Sequence, residues 1–118
     1  MKLINETQIT VKKSKFIAYL YETDDILDIK TINDSLKKEH KKARHIAYAY
    51  SINGIYKKYD DKEPSNTAGA PILNIILKNN LNNTAIFVVR YFGGIFLGAG
   101  GLYRAYQNAS KEVIKKDV

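Results

Sequence analysis

Apolar and polar positions alternate near the start of the chain and predict two β-strands. Apolar side chains occupy every second position before and after a short basic interruption, and a period of two is typical of a strand with one buried face. The alternating residues are Ile9, Val11, Phe16, Ala18 and Leu20. We therefore expect two strands joined by a turn near Lys12–Ser14.

The apolar period changes to three or four residues after Thr23, which predicts a helix with one apolar face. Thr23 is the predicted N-cap, and Asp24 and Asp25 suit the positive end of the helix dipole. The apolar face consists of Ile26, Ile29, Ile32 and Leu36.

The segment HIAYAYSINGIY, residues 45–56, again alternates and predicts a hairpin. One face carries isoleucine and tyrosine. The other carries Ala47 and Ala49, which are small enough for a helix to approach closely. Asn53-Gly54 is a strong signal for a two-residue turn, so we expect a second strand from Ile55 to Tyr59.

The rest of the chain predicts a loop, a helix, a buried strand and a last helix. The loop DDKEPSNTAGA has no period, and Pro71 fits the first turn of the helix that follows. TAIFVV, residues 84–89, is apolar almost throughout, like a strand buried on both faces. The element order predicts an α+β domain, a two-layer sandwich with a mixed β-sheet and helices on one face.

Length and composition narrow the class of protein. A chain of 118 residues predicts a single domain, 1–118. Without cysteine it can form no disulfide or thiolate metal site. Since no apolar run reaches the ~20 residues of a membrane span, we expect a cytoplasmic protein without a membrane partner. The net charge of +7 fits either a weak attraction to RNA or an ordinary lysine-rich surface.

The segment RYFGGIFLGAGGLYRAY, residues 90–106, contains five of the seven glycines. It follows a strand and opens a helix, a context in which backbone N–H groups can bind an anion. It matches neither the dinucleotide fingerprint nor the Walker loop. Two interpretations stay open: the glycines allow tight turns and close packing, or they hold an anion with Arg90 and Arg104.

Three carboxylates, Asp60, Asp61 and Glu63, precede the second helix. They could bind a cation or act as acid and base. They could equally favour the N-terminus of the helix. His45 stands at a strand end, and no serine lies in a nucleophile-elbow context. Lys62 places a positive charge among these carboxylates, so we expect no metal. We also expect no cofactor and no recognisable catalytic set, although the question of an enzyme stays open.

Three segments together resemble the IMPACT N-terminal / YigZ family. They are KSKFIAYL at 13–20, YDDKEPSNTAGAPIL at 59–73 and VVRYFGGIFLGAGGLYRAY at 88–106. His45, within KKARHIAYAY, resembles the histidine ahead of the family's central strand. Lys62 and Asn66 stand where the family loop has glycine, so lysine is costly there if φ is positive.

The resemblance implies a fold similar to domain IV of EF-G and to a ribosomal small-subunit protein. It also implies a translation-associated role, because eukaryotic relatives regulate translation through protein binding. Bacterial relatives usually add a C-terminal ferredoxin-like domain, which we expect to be absent here because the chain stops at Val118.

We therefore expect a non-catalytic binding module whose partner is a translation-related protein, the ribosome or RNA. The alternative is an enzyme or degenerate enzyme that binds a phosphorylated small molecule or nucleotide. Its site would lie between the loop that carries Asp60, Asp61 and Glu63 and the glycine-rich segment, residues 90–106. The candidate binding surface consists of His45, Asp60, Asp61, Glu63, Thr67, Arg90, Tyr91, Gly93, Gly94, Gly100, Gly101 and Arg104.

Overall fold

The computed structural model describes residues 1–115, which form five strands and three helices. In chain order they are β1 (Lys2–Val11), β2 (Ser14–Glu22), α1 (Leu27–Glu39), β3 (His45–Ile52), β4 (Ile55–Tyr59), α2 (Gly69–Lys78), β5 (Thr84–Tyr91) and α3 (Gly98–Ile114). This order confirms the predicted elements and the α+β class. In the part of the chain that the structure describes, no helix combines the length and apolar character needed to cross a membrane.

The sheet has the strand order β1-β2-β5-β3-β4, and every neighbouring pair is antiparallel. The predicted mixed sheet is therefore wrong. The α1 crossover does leave β2 and β3 running in the same direction, but β5 lies between them and pairs antiparallel with both. A parallel pair is avoided because the last strand occupies the place between the two.

Helices cover both faces of the sheet, so the predicted two-layer arrangement with helices on one face is also wrong. On one face α2 and α3 enclose a core that includes Ile86 and Val88 of β5. On the other face α1 packs near Phe87 and Val89. The central strand is apolar on both sides, and both sides need cover from water.

The small side chains of β3 lie under α2, as predicted. Ala47 and Ala49 are fully buried in the same core as Ile72 and Ile76. Their small volume allows the helix to lie close to the sheet. This places the first turn of α2, and the loop before it, over one end of β3.

Both hairpins have two-residue turns at the predicted positions. The φ angles are 47° and 69° at Lys12 and Lys13, and 50° and 76° at Asn53 and Gly54. Positive φ at both central residues gives the type I′ geometry that suits the twist of a hairpin.

The predicted N-cap of α1 is wrong. The helix begins at Leu27, and Ile26 at the cap position makes no side-chain hydrogen bond to it. Thr23 instead accepts a hydrogen bond from the N–H of Asp25 and donates one to Asp28 Oδ2. The Asp25 side chain accepts from the N–H of Leu27. These bonds connect Thr23 and Asp25 to the first two residues of the helix.

Candidate binding surface

Asp60 organises the acidic loop, residues 60–68, around the start of α2. Its Oδ1 accepts hydrogen bonds from the N–H groups of Ala68 and Gly69, at 3.2 and 2.8 Å. Its Oδ2 accepts from the N–H of Asn66, at 3.0 Å. Asp60 therefore satisfies N–H groups at the helix N-terminus, which is one of the two interpretations that the sequence left open.

Asp61 joins the acidic loop to the start of β3. Its Oδ2 accepts from the N–H of Ile46 at 2.7 Å, and its carbonyl oxygen lies 2.6 Å from His45 Nδ1. Since a carbonyl oxygen only accepts, Nδ1 carries the hydrogen of this bond. The other ring nitrogen, Nε2, faces Glu63.

Glu63 is the centre of a buried polar cluster, which we call the Glu63 network (His45, Glu63, Arg90 and Tyr106). The Arg90 NH1 group donates to both carboxylate oxygens, at 3.0 and 2.9 Å. The Tyr106 hydroxyl donates to Oε2. His45 Nε2 lies 3.3 Å from Oε1 and forms an ion pair with it when the ring is protonated. The Glu63 side chain is only 2% exposed, so all these interactions operate in an environment of low dielectric constant.

Burial and then the neighbouring Glu63 carboxylate raise the pKa of the Tyr106 hydroxyl well above its ordinary value. Both effects disfavour a second negative charge beside Glu63. Tyr106 therefore remains a hydrogen-bond donor at neutral pH. Among the described residues, no group of three or more His, Asp and Glu side chains is suited to hold a metal ion.

A groove of about 280 Å³ lies above the Glu63 network. Arg44 and Lys62 line it from one side, and the turn before α3 lines it from the other. Phe96 is 84% exposed there and packs against Phe92, with ring centroids 5.2 Å apart. The Arg44 guanidinium lies 4.8 Å from the centre of the Phe92 ring, within the range of a cation–π interaction. The groove thus combines positive charge with an exposed aromatic side chain.

Gly93 has a structural role. A Cβ atom there would lie 2.1 Å from the carbonyl carbon and oxygen of Lys13, in the β1–β2 turn. The N–H of Gly93 also donates to the Ser14 hydroxyl. Gly94 has a φ of +90° with open space around it, so it is needed for the turn and not for packing.

Gly100 and Gly101 lie in the first turn of α3. A Cβ atom on Gly101 would lie 3.1 Å from the Leu97 Cβ, whereas one on Gly100 would meet only the end of the Arg104 side chain, at 3.3 Å. The glycines therefore serve close packing in part. Gly100 remains exposed.

The structure brings together four of the residues that we predicted to converge: His45, Asp61, Glu63 and Arg90. Asp60 belongs to the same loop, but its carboxylate is directed to backbone N–H groups. The role of these five residues as a binding surface stays a prediction.

Three further predicted residues do not join the Glu63 network. Thr67 is buried and donates to the carbonyl oxygen of Pro64. Tyr91 lies on the α1 side of the sheet, where its hydroxyl is 2.6 Å from His40 Nδ1. Arg104 is exposed on α3, and within residues 1–115 it forms no ion pair.

Sequence reasoning missed four residues of this region as site residues: Arg44, Phe92, Phe96 and Tyr106. Tyr106 lies on the buried face of α3, and the signal was its hydroxyl among side chains that are mostly apolar. Phe96 could have been found because a large aromatic side chain among glycines has few neighbours to cover it.

Comparison with known proteins identifies relatives along most of the chain. The family model described as the Impact N-terminal domain matches residues 12–114. The IMPACT family member YvyE of Bacillus subtilis is 42% identical over 115 residues, which cover 95% of this chain and 53% of that protein. YigZ of Escherichia coli is 35% identical over 111 residues, covering 90% and 54%. The chain thus spans about half the length of these relatives.

Two solved structures resemble the fold. A crystal structure of a hypothetical protein superimposes with a TM-score of 0.89 at 34% identity and covers 93% of this chain and 56% of that one. A structure of the two-domain translational regulator Yih1 gives a TM-score of 0.57 at 22% identity and covers 95% and 45%. The second likeness concerns the fold alone. The resemblance found in the sequence is confirmed.

Proposed function

The chain belongs to the Impact N-terminal domain family, and on that premise we propose that it is a non-catalytic, cytoplasmic binding module that acts in translation. The description of Yih1 as a translational regulator supports the association with translation. The positive net charge of the chain also favours an encounter with ribosomal RNA. We propose the ribosome as the partner.

The observation that carries this proposal is the exposure of Phe96 beside a network whose polar groups are engaged with each other. Glu63 accepts from Arg90 and Tyr106, so the buried carboxylate serves the fold. Phe96 is 84% exposed, and an aromatic side chain of this kind gains free energy when a partner covers it. Aromatic and arginine side chains are enriched at interfaces, and the groove presents both.

The test is sedimentation of the chain with purified bacterial ribosomes at several salt concentrations. We expect binding that weakens as salt rises, and a loss of tenfold or more in affinity for Phe96→Ala. Leu27→Ala is the matched control, because Leu27 is 74% exposed on α1, on the opposite face of the sheet. The control should bind like the parent chain.

Three results would contradict the proposal. They are the absence of sedimentation with ribosomes, equal binding by Phe96→Ala and the parent chain, and an equal loss in both variants. Because both side chains are exposed, neither substitution should lower the thermal midpoint appreciably. A measurement of that midpoint separates loss of binding from loss of folding.

A further inference from the structure

We propose that the outer edge of β4 binds an extended acidic peptide of another protein, which adds to the sheet as a further strand. This inference goes beyond the proposed function, because no residue of β4 lines the groove beside Phe96. Three features support it: the backbone edge of β4, the apolar surface on one of its faces, and a lysine on the other.

The first feature is the hydrogen-bonding edge of β4. This strand is the last in the sheet and pairs with β3 on one side. The two-residue turn makes Ile52 and Ile55 a hydrogen-bonded pair, so alternate residues of β4 bond to β3. The N–H and C=O groups of Tyr56 and Lys58 therefore point away from the sheet, and none of the described residues pairs with them. Such an edge is a template for an extended chain.

The second feature is apolar surface beside this edge, on the face of the sheet that carries α2. Tyr56 is 57% exposed, and Leu77 of α2 is 40% exposed. Together they line a groove of about 230 Å³ between β4 and the end of α2. Every second side chain of an added strand lies on this face. An apolar side chain there covers Tyr56 and Leu77 and removes them from water.

The third feature is positive charge on the opposite face of β4. Lys57 is exposed there and forms no ion pair with any residue that the structure describes. A carboxylate that lies opposite Lys57 on an added strand forms a cross-strand pair of opposite charge. The other edge strand, β1, carries Glu6 at its middle, so an acidic peptide is directed to β4.

The same charge disfavours a second copy of this chain as the occupant. Two β4 strands that pair antiparallel exchange hydrogen bonds between Tyr56 of one copy and Lys58 of the other. This register places the two Lys57 side chains directly opposite each other, and like charges in that position are destabilising. The occupant that fits all three features is therefore a strand of another protein in which carboxylates alternate with apolar side chains.

The experiment is an NMR titration of ¹⁵N-labelled protein with a capped heptapeptide in which glutamate alternates with valine. The valines meet the groove beside Tyr56, and the glutamates lie on the face that carries Lys57. We expect saturable shifts of the N–H signals of Tyr56 and Lys58. At saturation, hydrogen exchange at these two N–H groups should slow at least tenfold. Exchange at Lys57 should change less, because its N–H already bonds to β3.

Two controls test the hydrogen bonds and the charge separately. In antiparallel pairing the valine amides face β4, so the same peptide with N-methylated valines should not bind. Lys57→Glu should weaken binding at least fivefold by repulsion. Lys15→Glu is the matched control, because Lys15 is also an exposed strand lysine but lies on β2, and this variant should bind like the parent chain. Both lysines are exposed, so neither substitution should lower the thermal midpoint appreciably.

Absence of shifts, shifts at β1 instead of β4, or equal binding by Lys57→Glu and the parent chain would overturn the inference. Equal binding of a heptapeptide with lysine in place of glutamate would also overturn it, because recognition would then not depend on charge. Broadening of the Tyr56 and Lys58 signals that grows with protein concentration in the absence of peptide would identify a second copy as the occupant, and would overturn the proposed partner.

Discussion

Replacement of Glu63 by Gln is expected to lower the free energy of unfolding by about 3–5 kcal/mol, the loss that follows when one partner of a buried ion pair is removed. The substitution preserves the size of the side chain and removes its charge. Arg90, which is 5% exposed, would then remain inside the protein without its counter-charge. The new amide group would also place N–H donors among the donors of Arg90 and Tyr106.

The magnitude follows from the bonds that the carboxylate makes. Glu63 accepts two hydrogen bonds from Arg90 and one from Tyr106. Tyr106→Phe removes one bond to a charged group and leaves the ion pair intact, so its expected cost is about 1.5–3 kcal/mol. Glu112→Gln is the matched control, because that glutamate pairs with Lys115 at the surface and contributes at most about 1 kcal/mol.

The assay is urea denaturation at pH 7 and 25 °C, followed by far-ultraviolet circular dichroism. We expect stability losses in the order Glu63→Gln, then Tyr106→Phe, then Glu112→Gln, with little change in the slope of the transition. A loss below about 1 kcal/mol for Glu63→Gln would refute the reasoning. It would mean that the attraction within the pair does not exceed the cost of burying both charges.

Two further predictions concern the backbone and the pH dependence. Lys62 has a φ of 66°, so Lys62→Gly should raise the free energy of unfolding by up to about 1 kcal/mol, measured by urea denaturation; an equal or lower midpoint would contradict this. The pKa of Tyr106 is raised in the folded state, so above pH 10 the unfolded state releases its proton first. Stability should therefore fall as the pH rises above 10, and Tyr106 contributes to this fall. Tyr106→Phe should show a shallower fall than Tyr56→Phe, on the exposed strand β4, and equal slopes would count against the assignment.

The elements could be predicted from the sequence because their signals are local. The turn at Asn53-Gly54 and the limits of β4 depend only on neighbouring residues, and the structure confirms them. The layer arrangement depends on a pairing between distant segments. Only the position of β5 between β2 and β3 determines the direction of the pairs, and no local pattern indicates that position.

The candidate site could be predicted in part for similar reasons. Glu63 and Arg90 are 27 residues apart; the sequence placed both on one candidate binding surface, and the structure shows that they pair directly. Arg104 was placed on the same candidate surface, but it does not join the Glu63 network. It precedes Tyr106 by two positions, which is about 200° around the helix axis, so the two side chains point to nearly opposite sides. Tyr106 points to the Glu63 network, and Arg104 points to solvent.

The last two residues of β5 hold the end of that strand from opposite sides of the sheet. Arg90 is bonded to Glu63 on one side, and Tyr91 meets His40 on the other. Because side-chain contacts on both faces of the sheet fix the end of β5, the turn that carries Phe96 starts from a fixed position. Binding of a partner to this turn therefore costs little conformational entropy, because folding has already ordered the start of the turn.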